Sequence, residues 1–74
     1  METRVKHVMS NTFGIDIEQI SDDASPDSIA KWDSLKHMQL ILSLEEEFCI
    51  EFSDKEVVEV VSYQKILEAL RRLT

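Results

Sequence analysis

The chain has 74 residues, 43% of them hydrophobic, with one Gly, one Pro and one Cys. That supports one small domain, 1–74, with a core of its own, and it excludes a disulfide scaffold, because a single cysteine has no partner in the chain. Fifteen acids against eight bases give a formal net charge of −7, which excludes a nucleic-acid binder with its basic surface and favours partners with basic faces.

The chain opens "METRVKHVMS", charged and without a long apolar run, so it does not read as a secretory signal. Nowhere does an apolar stretch approach the ~20 residues of a membrane span. A lone cysteine suits a reducing compartment. These features predict a cytoplasmic protein, monomeric and without membrane insertion.

Four helical patterns follow in chain order, with no repeat and no low-complexity tract. The first covers residues 2 to 13, where Val5, Val8, Met9 and Thr12 recur at helical spacing. Gly14, the only glycine, stands where a left-handed C-terminal cap is wanted. A long connection occupies residues 15 to 32. Ile15, Ile17 and Ile20 anchor its start, and Ser25-Pro26 opens one short turn with Pro at the first helical position. Ile29 and Trp32 are its packing residues. Long loops in small domains are functional or packed by their own side chains.

The second helix spans residues 34 to 48, "SLKHMQLILSLEEEF". On a wheel of 3.6 residues per turn, Leu40, Ile41, Leu44 and Phe48 share one side. Leu35, Met38 and Leu42 make a neighbouring stripe. The combined apolar arc is wider than one-sided packing needs, which leaves two readings: a helix buried on most of its surface, or a core face beside an exposed docking face. A bundle this small favours the second.

Two residues able to cap this helix stand together, Asp33 and Ser34. If Asp33 is the N-cap, its carboxylate accepts from the N–H of Leu35 or Lys36. Ser34 is then the first helical residue, with a free hydroxyl at the positive end of the dipole. A phosphate there is favoured by the dipole and by free N–H groups, with Lys36 and His37 in the same turn as candidate contacts. If instead Ser34 is the cap, Asp33 merely adds a favourable charge. Position alone favours this second reading.

The third helix is short. "SDKE" at residues 53 to 56 is a capping box, and Val57, Val58, Val60 and Val61 follow it. The valines have strand propensity, but no second strand exists to pair with them, so a helical turn is expected. The fourth helix begins at Ser62 as N-cap. Tyr63, Ile66, Leu67, Leu70 and Leu73 form its inner face, and Arg71 and Arg72 sit in its last turn, where cations suit the dipole.

The stretch "DSLKHMQLILSLEEEF" resembles the second-helix motif of acyl carrier proteins and of the related peptidyl and D-alanyl carrier domains. The resemblance extends over the whole chain, since the order and lengths of its elements match. It implies an all-α fold, a small four-helix bundle with a long first loop and a short third helix. It also implies a role: Ser34 receives 4′-phosphopantetheine, derived from coenzyme A, from a phosphopantetheinyl transferase. The arm's thiol then carries acyl or aminoacyl cargo as a thioester from a loading ligase to downstream acyl-processing enzymes. On this resemblance Asp33 and Leu35 complete the attachment motif. Leu35, Met38, Leu42, Glu45, Glu46 and Asp54 form the docking surface; Lys36 and His37 are, by their place in the helix and not by the resemblance, the candidate phosphate or specificity contacts.

Four positions depart from carriers of fatty-acid synthases. Trp32 stands where a small residue is usual, and Lys36, Gln39 and Val58 stand where acids are common. A Trp before the motif is more similar to specialised free-standing carriers, D-alanyl carriers among them. The class-different alternative is a small helical interaction module with no prosthetic group, docking through Leu35, Met38 and Leu42.

Other chemistry finds little support. His7 and His37 have no Cys or paired carboxylate at ligand spacing, so no metal site is expected. Ser34 and His37 share a turn, but no oxyanion hole or glycine-bearing elbow accompanies them, so the chain does not read as an enzyme. Cys49 reads as a small half-buried hydrophobe, and Glu47 as part of a solvated helix end.

Overall fold

A computed structural model describes residues 1–74. Four α-helices, α1 (Glu2–Phe13), α2 (Ser34–Phe48), α3 (Asp54–Glu59) and α4 (Tyr63–Leu73), are joined by loops, and there are no strands. One further turn of 3₁₀-helix, Ile17–Gln19, lies in the long first loop. Gln19 makes it local: its side chain accepts from the Asp16 N–H at 3.0 Å, and its own N–H reaches the Asp16 carbonyl at 2.9 Å.

The caps fall where the sequence places them. Gly14 ends α1 in the left-handed conformation, φ 68°, a backbone state that costs a residue with a Cβ. Ser53 and Glu56 close a reciprocal capping box on α3, with Ser53 Oγ accepting from the Glu56 N–H and Glu56 Oε1 from the Ser53 N–H. These bonds stabilise the carboxylate form, so the Glu56 carboxyl lies below its ordinary range. Ser62 caps α4 by accepting from the Lys65 N–H.

Cys49 departs from expectation. It is exposed, and it ends α2 in the left-handed region, φ 54°, where glycine is the usual residue. Its N–H and that of Ile50 both return to the Glu45 carbonyl. A cysteine thus occupies a geometric role, and not the half-buried slot its hydrophobicity suggested.

Eighteen buried residues form the core, and every one is apolar or aromatic. Val5, Val8, Met9 and Phe13 come from α1, and Leu40, Ile41 and Leu44 from α2. Tyr63, Ile66, Leu67, Ala69 and Leu70 come from α4. Thr12 and Phe48 are only half-buried, and Leu73, expected on the inner face, is 37% exposed because the core ends a turn before it. From the loops come Ile20, Ala24, Ile29, Trp32, Phe52 and Val60. The indole of Trp32 packs on Phe13, ring centroids 5.2 Å apart.

Two contacts set α1 and α2 antiparallel. Phe13 at the end of α1 meets Trp32 at the start of α2, and Arg4 at the other end of α1 bonds the side chain and carbonyl of Glu47 near the end of α2. Glu47 is therefore paired, and not simply solvated. The long loop is fastened at several points. Tyr63 donates its N–H to the Ala24 carbonyl at 2.9 Å, Gln64 bonds the Asp22 carbonyl, and Lys6 pairs with the Asp22 carboxylate at 2.8 Å. The turn at Pro26 forms as expected, with the N–H groups of Ser28 and Ile29 on the Ser25 carbonyl.

Candidate functional site

At the start of α2 the doubled cap resolves. Asp33 is the N-cap: its backbone is extended, and its Oδ1 accepts from the Lys36 N–H at 2.8 Å. Ser34 is the first helical residue. It is exposed, and its hydroxyl makes no hydrogen bond within the chain. The first intrahelical bond of α2 is that of the His37 N–H to the Asp33 carbonyl. The N–H groups of Ser34 and Leu35 therefore remain among the unpaired donors of a helix start, next to that hydroxyl. A nucleophilic oxygen and two free donors at the positive end of a 15-residue helix are suited to carry a phosphate ester.

Beside Ser34 lies an open hollow of about 420 Å³, lined by Pro26 and Trp32 of the loop, by Asp33, Ser34, His37 and Met38, and by Val61. Beyond it, the apolar arc of α2 divides as its width suggested. Leu40, Ile41 and Leu44 are buried, whereas Leu35, Met38 and Leu42 are 67%, 48% and 59% exposed. Val58 and Val61 are also exposed, the first at the end of α3 and the second just after it. Of these exposed side chains, Met38 and Val61 border the hollow beside Ser34, and Leu42 borders a groove between α2 and α1.

His37 is a correction. Its Nδ1 accepts from Trp32 Nε1–H at 3.0 Å, and its Nε2 lies 2.7 Å from the Val57 carbonyl. Both ring nitrogens are engaged inside the chain, so neither is free for a phosphate on Ser34. Lys36 is likewise turned away. It lies about 200° around the helix from Ser34, and its side chain flanks a separate groove against α1 with Asn11, Thr12 and Gln39. Its backbone N–H, by contrast, is what Asp33 holds. Lys36 therefore stays a candidate for specificity and not for phosphate contact.

Among the acids, Glu46 and Asp54 are exposed and without ion pairs. Glu45 is engaged within the chain, where its Oε2 accepts from the Phe52 N–H at 2.8 Å and fixes the backbone as it turns from α2 towards α3. No group of three or more metal-ligating side chains exists in the molecule, and no helix is long and apolar enough to cross a membrane.

No family model matches the chain. Over 72 residues it is 36% identical to the acyl carrier proteins of two strains of Buchnera aphidicola subsp. Acyrthosiphon pisum, Tuc7 and APS, a match that takes in 97% of this chain and 90% of each relative. The chain belongs to the acyl carrier protein family.

As an acyl carrier protein it is a carrier and not an enzyme. The family in general works with a phosphopantetheine group and with acyl-processing enzymes. In this carrier the internal bonds of His37 and Glu45 were not visible in the sequence. Each joins residues that helical periodicity does not relate, His37 to Val57 across 20 positions and Glu45 to Phe52 across 7. The one available signal was a His on the inner half of a helix that lacked any ligand partner.

Proposed function

We propose that this carrier holds acyl or aminoacyl intermediates on a 4′-phosphopantetheine arm attached to Ser34 and delivers them to partner enzymes. The observation that carries the reading is the division of labour at the start of α2: Asp33 caps the helix, and the neighbouring Ser34 hydroxyl is exposed and unspent. When bound, the arm supplies a thiol that holds cargo as a thioester. The protein's own part is to present the serine oxygen, to stabilise the resulting phosphodiester with the helix dipole and the free N–H groups, and to offer a docking face.

That face comprises Leu35, Met38 and Leu42 with Glu46 and Asp54 at its periphery, and Glu45 contributes with whatever charge it does not spend on Phe52. The partners are a phosphopantetheinyl transferase, a loading ligase and acyl-processing enzymes. A lone, unpaired Cys49 suits a reducing compartment, so we assign the carrier to the cytoplasm, acting as a monomer through one domain, 1–74.

Intact mass after incubation with coenzyme A and a transferase tests the reading. The native chain gains one phosphopantetheinyl group, mapped to the peptide holding Ser34, and Ser34→Ala gains none. A native chain left unmodified by several promiscuous transferases would sink the proposal and leave an interaction module without a prosthetic group.

A further inference from the structure

The hollow beside Ser34 has walls from the long loop, from α2 and from Val61 just past α3, and His37 ties the first two to α3 itself. It belongs to α2, its Nδ1 holds Trp32 of the long loop, and its Nε2 holds the Val57 carbonyl of α3. The Val57 carbonyl has no acceptor role inside α3: the N–H four residues on, at Val61, bonds Glu59 instead. His37 therefore satisfies an orphan carbonyl at the end of a helix of only six residues. The remaining polar tie of α3 to another helix is the Arg72–Glu56 pair at 3.6 Å, on the side of α4.

The partners dictate the ring's state. An indole N–H only donates and a carbonyl only accepts. Nδ1 must be bare and Nε2 must carry the proton. In that tautomer one side chain links loop, α2 and the end of α3, and it leaves no polar atom of the junction buried without a partner.

We propose that His37 is a positioning residue: as the Nε2–H tautomer it ties Trp32 and the end of α3 to α2, and so keeps the hollow beside Ser34 in shape to receive the arm attached there. This rests on Ser34 being the attachment point. Leu at position 37 fills similar space but makes neither bond. Gln offers a carbonyl oxygen for the Trp32 N–H and an amide N–H for the Val57 carbonyl, so it preserves both.

The experiment compares apo and loaded forms of the native chain, His37→Gln and His37→Leu by NMR, with intact mass recorded for each. The native imidazole spectrum shows the Nε2–H tautomer. Loading shifts the Met38 and Val61 methyl resonances in the native chain and in His37→Gln, and the shift is lost in His37→Leu. In apo His37→Leu the amides of α3 exchange about tenfold faster, the scale of one or two ordinary hydrogen bonds lost. If His37→Leu does not fold, Trp32→Phe removes the indole donor and keeps the ring, and the same loss of the methyl response is expected. Methyl shifts on loading that are equal in the native chain and in the bond-breaking variant overturn the positioning role, as does their absence from the native chain. Failure of the native chain to gain mass overturns the attachment reading on which the proposal rests.

Discussion

The Asp33 carboxylate holds the Lys36 N–H at 2.8 Å and leaves its own neighbour, Ser34, with nothing to hold. With Ser34 as the proposed attachment point, stability and loading are expected to separate onto adjacent residues. Asp33→Ala destabilises the apo protein by about 0.5–2 kcal/mol, the usual loss of a cap. Ser34→Ala costs much less, because its hydroxyl caps nothing and Ala is a good helix former. Loading ranks the other way: abolished in Ser34→Ala, only impaired in Asp33→Ala. Denaturant melts beside a loading assay measure both, and a more destabilising Ser34→Ala would contradict the cap assignment.

Met38 and Leu44 lie on neighbouring stripes of α2, one 48% exposed and the other fully buried. Leu44→Ala loses about 2–5 kcal/mol of stability, as core truncations do. Met38→Ala melts close to the native chain and lowers the rate at which partners turn it over. Thermal melts and transferase kinetics on the two variants decide, and equal destabilisation would mean the outer stripe is structural.

Lys36 places a positive charge on a chain of net charge −7, two residues on from Ser34, the proposed attachment point, and on the α1 side of α2. Enzymes that grip carriers through a basic patch there are repelled. Lys36→Glu improves their use of this carrier, and the gain shrinks as salt rises and screens the field. Glu46→Lys slows the same enzymes. The assay is turnover by general fatty-acid enzymes across a salt series, and no gain at low salt would remove charge as the barrier.

Glu56 gives a pH dependence of defined sign. Hydrogen bonds from Ser53, and then Arg72, hold its folded-state carboxyl below the ordinary value of 4.5. The unfolded chain thus takes up this proton first as pH falls. The contribution is fully present above about pH 4.5 and is lost as pH drops through the lower, native value. Glu56→Gln keeps an acceptor for the Ser53 N–H but cannot titrate, so its melting temperature falls less steeply on the acid side. Glu56 is half-buried, and a single titrating carboxyl gives a small difference in slope. Identical acid slopes in the two proteins would show that the capping box does not couple to protonation.

Much of this molecule is legible residue by residue, because its determinants are local. Gly14 stops α1, Asp33, Ser53 and Ser62 start the next three helices, and the spacing of Leu40, Ile41 and Leu44 states which way α2 faces. What escaped depends on the path of the chain in space. Ala24 is too small to announce that it is buried beside the start of α4. Cys49 has no chemical feature that signals a positive φ. The ring of His37, adjacent in sequence to a charged Lys, looked available until α3 was folded across it.

The bond from Tyr63 to Ala24 has a consequence for how the protein comes into being. The chain is made from its N-terminus, and the 11 residues of α4 are made after the loop they hold. Until they leave the ribosome, the Ala24 carbonyl and the Asp22 carbonyl lack their partners, and the loop that leads to Ser34 is held only by its contacts with α1. A nascent chain ending at Ser62 should therefore be cut readily between residues 21 and 29 by a protease that spares the finished protein. Ser34 is translated well before α4, yet the loop beside it is fully fastened only when α4 has been made.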